Sequence, residues 1–154
     1  MLRGVSLQAL ANSPSQEDRD VVFGLLPQEG AVPDDLAFAL MRSNRIECVR
    51  KWLVLVQEGR AVGRRMSNFE RTMMEFGKGA LGSAELTSDV IATINEIKDR
   101  PSNKADLLIM IEALAGRKDA ASIATLKALS TASDPEIKSC ATLTLSNWRK
   151  IEAH

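Results

Sequence analysis

Three glycines in the segment EFGKGALGSAEL have the spacing of a dinucleotide-binding loop. Gly77, Gly79 and Gly82 form G-x-G-x-x-G, the pattern in which a backbone approaches a pyrophosphate closely. That loop follows a β-strand, because the pyrophosphate lies where the end of a strand meets a helix N-terminus. Here the preceding residues, RTMMEF, continue a helical spacing of apolar side chains. The segment is therefore interpreted as a glycine-rich joint between two helical halves, and no cofactor is expected.

The residue types used for nucleophilic catalysis and zinc binding lack a suitable arrangement. The sole histidine, His154, is the last residue of the sequence, which leaves no imidazole for a Ser-His-Asp arrangement. Cys48 and Cys140 lie far apart in apolar helical patterns and form no C-x-x-C pair. They are interpreted as small buried side chains, and no metal site is expected.

Carboxylates are the remaining candidates for acid–base chemistry. Four of them are placed where solvent-facing or capping groups would be: Asp99, Asp106, Glu112 and Asp119. The sequence therefore predicts a protein without catalytic residues, and a carboxylate-based enzyme remains the weaker alternative.

Composition indicates one ordinary globular domain over residues 1–154. The 20 acidic and 20 basic residues cancel, so no strongly polyanionic partner is required. No apolar run is long enough for a signal-peptide core or a membrane span, and we expect a cytoplasmic protein that does not contact a membrane. Four phenylalanines, two tryptophans and no tyrosine leave few rings for stacking bases, which disfavours a nucleic-acid partner.

The charges are unevenly distributed along the chain. Residues 42–71 hold eight basic and three acidic groups, whereas residues 15–37 hold six acidic groups and one basic group. A helix is predicted over residues 60–76. If its geometry of 100° per residue is continued to residue 78, four basic side chains lie within about 40° of one another around the helix axis. This basic ridge comprises Arg60, Arg64, Arg71 and Lys78. It is either a solvated helix face or a surface for a protein partner, in the latter case an acidic one.

The elements that position these residues are predicted to be helices. Apolar side chains recur at three- and four-residue spacing, and no alternating run bounded by Asn-Gly or Asp-Gly indicates a hairpin. The fold class is therefore all-α, with seven or eight helices. The segments are 15–26, 34–42, 45–57, 60–76, about 84–97, about 103–114, 119–129 and 135–148, with Ser15, Asp34 and Asp119 as N-caps and Gly59 and Gly116 at C-terminal ends.

The C-terminal segments resemble a HEAT repeat. Helix starts near residues 84, 103, 119 and 135 repeat with offsets of about 35 and 32 residues, the period of stacked helix pairs. The run LKALSTASDPEIKSCATLTL is similar to a HEAT turn and second helix at Leu126, Leu129, Asp134, Pro135, Ile137, Lys138, Ala141 and Leu145. The resemblance lies mainly in residues 102–151. It implies a right-handed stack of antiparallel helix pairs, an α-solenoid whose usual work is binding another macromolecule.

These observations divide the chain and assign it a function class. Residues 1–14 are either a mobile tail or an edge helix, residues 15–76 a charge-polarised half, residues 77–83 the joint, and residues 84–154 the HEAT-like half. An exposed apolar edge in the first segment, Val5, Leu7 and Leu10, would allow a homodimer. The sequence favours a non-enzymatic protein–protein interaction module, such as an adaptor, chaperone or inhibitor, that uses a helical groove or the basic ridge. A helical nucleic-acid-binding protein is the alternative.

Overall fold

The computed structural model describes the backbone of residues 3–63 and 79–153, and the side chains of residues 7–63 and 79–146. Gly77, His154, the side chains of Val5 and Trp148, and three members of the basic ridge (Arg64, Arg71 and Lys78) lie outside these residues. Within them the chain forms α-helices and no β-strand, as predicted. The eight α-helices are α1 (Arg3–Asn12), α2 (Gln16–Gly24), α3 (Asp34–Met41), α4 (Ile46–Gln57), α5 (Thr87–Ile97), α6 (Lys104–Ala113), α7 (Ala120–Leu129) and α8 (Pro135–Ala153).

Helices that are neighbours in the sequence pack together in pairs. The pairs are α1 with α2, α3 with α4, α5 with α6, and α7 with α8. Further contacts join α1 to α3, α5 to α7, and α6 to α8, while α4 against α5 connects the two described parts of the chain. This succession of packed pairs confirms the predicted all-α architecture. The likeness to HEAT repeats stays a prediction. Among the described helices, none is both long and apolar enough to cross a membrane.

Helix α4 shows how the apolar pattern produces the core. Its residues Val49, Trp52, Leu53 and Val56 recur at three- and four-residue spacing, and all four side chains are buried. The helix ends where predicted, because Gly59 adopts a φ of 75°, a left-handed conformation that glycine enters without steric cost. The regular stripe in this segment therefore fixes which face of α4 is buried.

The predicted starts at Ser15, Asp34 and Asp119 lie within one residue of the observed helices, but two of the three predicted caps differ. Asp119 caps α7 as predicted, since its carboxylate accepts a hydrogen bond from the Ser122 N–H at 2.9 Å. Ser15 occupies the N-cap position of α2 with an extended backbone, but its side chain makes no capping hydrogen bond. Asp34 is the first residue of α3 and not its cap, a position that Pro33 occupies.

Of the two alternatives for the N-terminal segment, a mobile tail or an edge helix, the structure has a helix, α1. Helix α1 packs against α2 and α3. Leu7 and Ala11 are buried, and Leu10 is partly buried against the same core. These apolar side chains face the core, and a homodimer through this segment stays a prediction.

The described part of the glycine-rich joint packs closely against the turn between α3 and α4. Gly79 has a φ of 57°, and a Cβ atom at this residue would lie 2.6 Å from the Ser43 carbonyl oxygen and 2.7 Å from that of Arg42. The next residue, Ala80, donates its N–H to the same Ser43 oxygen at 2.8 Å. The close approach that requires glycine here is therefore to the chain's own backbone. The joint then leads into α5 through a 3-10 turn, Ala84–Leu86, which Ser83 caps.

Candidate functional site

Residues 60–63 form a non-helical segment that crosses from the end of α4 to the start of α6. The predicted helix does not begin at Arg60, because the N–H groups of Arg60 and Ala61 both return to the Leu55 carbonyl, at 2.9 and 3.2 Å. The chain thus completes the C-terminal turn of α4 and continues without helical hydrogen bonds. This corrects the predicted start of the helix over residues 60–76.

Arg60 fastens this segment to the loop before α3. Its guanidinium donates to the carbonyl oxygens of Gly30 and Pro27, and its own carbonyl accepts from the Val32 N–H at 2.8 Å. The guanidinium bonds are charge-assisted, which makes them stronger than bonds between neutral groups. Arg60 is therefore engaged in holding two loops together. The basic ridge as a partner surface remains a prediction, since its other members lie outside the described residues.

Asp106 fastens the far end of the same segment to α6. Its carboxylate accepts hydrogen bonds from the Gly63 N–H at 3.0 and 3.2 Å and from the Asn103 side-chain amide at 3.0 Å. The Asn103 amide also lies 3.4 Å from the Ala61 carbonyl oxygen. Asp106 and Asn103 are 2% and 1% exposed. The prediction that Asp106 is a solvent-facing or capping group is wrong.

A periodicity signal for this burial exists in the sequence. Asp106 lies four residues before Met110 and next to Leu107, so it shares the buried stripe of α6. A carboxylate on an apolar stripe requires a buried polar partner. That partner, the Gly63 N–H, is 43 residues away and has no recognisable pattern.

The environment of Asp106 affects its protonation. Burial raises the pKa of the Asp106 carboxyl, and the hydrogen bonds from Gly63 and Asn103 oppose that rise. Among the described residues, no lysine or arginine lies within ion-pair distance of this carboxylate. The charged form is therefore held by two N–H donor groups and lacks a counter-ion in the part of the chain that the structure describes.

Asp106 lines a cavity of about 300 Å³ between α3, α4, residues 61–63 and α6. We call this cavity the α3–α6 pocket. Its larger apolar side chains are Phe38, Met41, Trp52, Val62 and Ile109, and its carboxylates are Asp34, Asp35 and Asp106. Val62 is 45% exposed, and Asp34 and Asp35 are also exposed, so these residues form the mouth of the pocket. No basic side chain is among the lining residues within the described ranges.

The remaining sequence candidates lie away from the pocket. Asp99 is exposed, Glu112 is half-buried, and Asp119 is the exposed cap of α7. Cys48 is fully buried, as predicted, and burial raises the pKa of its thiol. Cys140 is only half-buried, and both cysteines are free thiols. Over residues 7–63 and 79–146, no group of three or more potential ligands is placed to hold a metal ion.

Comparisons with protein-family models, with characterised proteins and with solved structures gave no match for this chain.

Proposed function

We propose that this protein is a non-enzymatic protein–protein interaction module and that the α3–α6 pocket receives a segment of its partner. The observation that carries the proposal is an apolar pocket with an exposed mouth, lined by side chains from three helices and one extended segment. A volume of about 300 Å³ is at the lower end of the range for ligand pockets. It suits one or two side chains that anchor a longer segment lying across the surface.

The lining walls are held rigidly enough to act as a preformed site. Residues 60–63 are tied at one end to the loop that carries Gly30 and Val32, and at the other end to Asn103 and Asp106. On the opposite side of the pocket, Trp52 on α4 is buried in the hydrophobic core. A preformed pocket favours binding because less conformational entropy is lost when the partner docks.

The chemistry of the pocket supports recognition over catalysis. Asp106 is its only buried ionisable group in the described residues, and both carboxylate oxygens already accept hydrogen bonds from Gly63 or Asn103. Such bonds orient the carboxylate and occupy both of its oxygens, whereas a general acid or base must exchange a proton with a reacting group. We therefore assign Asp106 a structural and recognition role.

The test compares two matched valine substitutions in affinity capture from the native cells. Val62→Arg places a long cation at the pocket mouth, and Val54→Arg does the same on the outer face of α4, where Val54 has a similar exposure of 42% and does not line the pocket. We expect the wild type and Val54→Arg to retain one stoichiometric protein that Val62→Arg loses, with circular dichroism confirming that both variants fold.

Three outcomes would contradict the proposal. Retention of the same protein by all three chains would show that the pocket is not the interface. If Arg64→Ala and Arg71→Ala lose the captured protein while Val62→Arg retains it, the interface lies on the predicted basic ridge. Recovery that is abolished by nuclease would instead favour nucleic acid as the partner.

A further inference from the structure

The α3–α6 pocket combines an apolar wall with a carboxylate that has no cationic partner among the described residues. A carboxylate taken out of water is costly unless a cation pairs with it. Asp106 is 2% exposed and has only the Gly63 N–H and the Asn103 amide as described partners. Neither donor carries a full charge. The pocket beside Asp106 is thus the place from which a counter-ion can reach it.

We infer that the α3–α6 pocket binds a lysine or arginine side chain that the partner protein inserts beside Asp106. This inference rests on the proposed function and specifies the ligand. The aliphatic stem of such a side chain would pack against the apolar wall, as long basic side chains do on apolar surfaces. Its charged end would then meet the Asp106 carboxylate in a low-dielectric environment, where Coulomb attraction is strongest.

The charges around the pocket favour a cation over other occupants. Asp34 lies at the exposed mouth, in the first turn of α3, and adds a second negative charge along the path of entry. An anionic segment would meet repulsion from both carboxylates. A neutral apolar side chain would fill the volume but would leave Asp106 without a counter-ion. A cationic side chain satisfies both the apolar wall and the charge.

The aromatic lining is compatible with a guanidinium or ammonium group. The Arg42 guanidinium already lies over the Phe38 ring, 5.2 Å from its centroid, so this ring accommodates a cation. Arg42 itself is not among the residues that line the pocket.

The test uses two small probes of nearly equal shape on the purified full chain. n-Butylguanidinium carries the charge, and n-butylurea is its neutral counterpart. Trp52 lines the pocket, so a Trp148→Phe background makes Trp52 the sole tryptophan and its fluorescence the binding signal. We expect n-butylguanidinium to bind at least about tenfold more tightly, because a hydrogen bond to a charged group is stronger than one between neutral groups.

Asp106→Asn should remove most of the preference for n-butylguanidinium over n-butylurea. The control Asp99→Asn, which neutralises an exposed carboxylate outside the pocket, should preserve that preference. If Asp106→Asn fails to fold by circular dichroism, Asp34→Asn should reduce the preference for the charged probe more than Asp99→Asn does. Equal affinity for the two probes, binding of neither, or an unchanged preference in the folded Asp106→Asn variant would overturn the inference.

Failure of the inference can be distinguished from failure of the proposed function. Partner capture that depends on Val62, without a preference for n-butylguanidinium, would leave a purely apolar docking pocket and refute the cation. A clear preference for n-butylguanidinium, with capture unaffected by Val62→Arg, would show that the cation does not come from the captured protein and would refute both proposals.

Discussion

Gly79 offers the sharpest test of how the two described parts of the chain are joined. Replacing it with alanine combines two effects. The backbone φ of 57° is unfavourable for any residue with a Cβ atom, at a cost of about 1–2 kcal/mol. The new Cβ would also lie 2.6 and 2.7 Å from the backbone oxygens of Ser43 and Arg42, far inside van der Waals contact. Backbone atoms cannot rotate away as the end of a side chain can.

The magnitude follows from what must move. Relieving the clash displaces Gly79 from the α3–α4 turn and endangers the hydrogen bond from the Ala80 N–H to Ser43, a contribution of about 0.5–1.5 kcal/mol. We therefore expect Gly79→Ala to lower the free energy of unfolding by about 1.5–3.5 kcal/mol. For a chain of this size the melting temperature should fall by about 3–14 °C.

Alanine substitutions at two other glycines distinguish the cost of the left-handed backbone from the cost of the steric clash. Gly30 has a φ of 82°, and a Cβ added there would have no atom within 4 Å, so Gly30→Ala should cost only the conformational part, about 1–2 kcal/mol. Gly24 is the last residue of α2 in open space, and Gly24→Ala should be neutral or stabilise by up to about 1 kcal/mol. Urea unfolding of the three variants measures these differences. If Gly79→Ala costs no more than Gly30→Ala, the close packing of the joint is refuted.

Three further predictions concern Asp106, Gly63 and Asp119. Asp106→Asn should remove a pH dependence of the free energy of unfolding. The pKa of Asp106 in the folded chain is raised above the unfolded value of 3.8. Its contribution to stability is therefore fully present below pH 3.8 and is lost as the pH rises through the folded pKa. Urea unfolding of both chains across this range should show the difference, and parallel pH profiles would contradict it. Gly63→Ala would bring a Cβ to 2.5 Å from the Asp106 carboxylate and should cost about 1–3 kcal/mol by the same assay, because the displaced carboxylate loses its N–H donor; an unchanged midpoint would contradict the geometry. Asp119→Ala should cost about 0.5–2 kcal/mol, and Asp119→Asn less, since an amide oxygen can still accept from the Ser122 N–H. The Asp119 pKa is lowered, chiefly by that N–H, so its contribution is present above 3.8 and the cost of Asp119→Ala should shrink as the pH falls through the folded pKa.

The parts of the fold that sequence predicts well are those fixed by local physics. The apolar stripe of α4, the left-handed glycines at 59 and 116, and the Asp119 cap all depend on residues within one or two helical turns of each other. Ser15 lies at the predicted N-cap position of α2, but its side chain makes no capping hydrogen bond. Spacing predicts where this helix starts and does not predict the hydrogen bond of the capping side chain.

The site is much harder to predict because its contacts join distant parts of the chain. The apolar spacing over residues 60–76 predicts a helix from Arg60, but hydrogen bonds to Pro27 and Gly30 hold Arg60 in a non-helical segment. Asp106 resembles the exposed carboxylates in its local sequence, although its place on the α6 stripe indicates burial. No local pattern identifies Gly63 as its partner. Hydrophobic periodicity therefore predicts the walls of the pocket better than its polar contacts.

The two ends of the segment over residues 60–63 bear on how the molecule unfolds. In an array of stacked helix pairs each unit contacts only its neighbours, so terminal units can open independently. Here one four-residue stretch is bonded both to the loop before α3 and to the first turn of α6. Opening either attachment exposes the Gly63 or Val32 amide to solvent. We therefore expect these two amides to exchange their hydrogens at the same free energy, as members of one cooperative unit that spans both described parts of the chain.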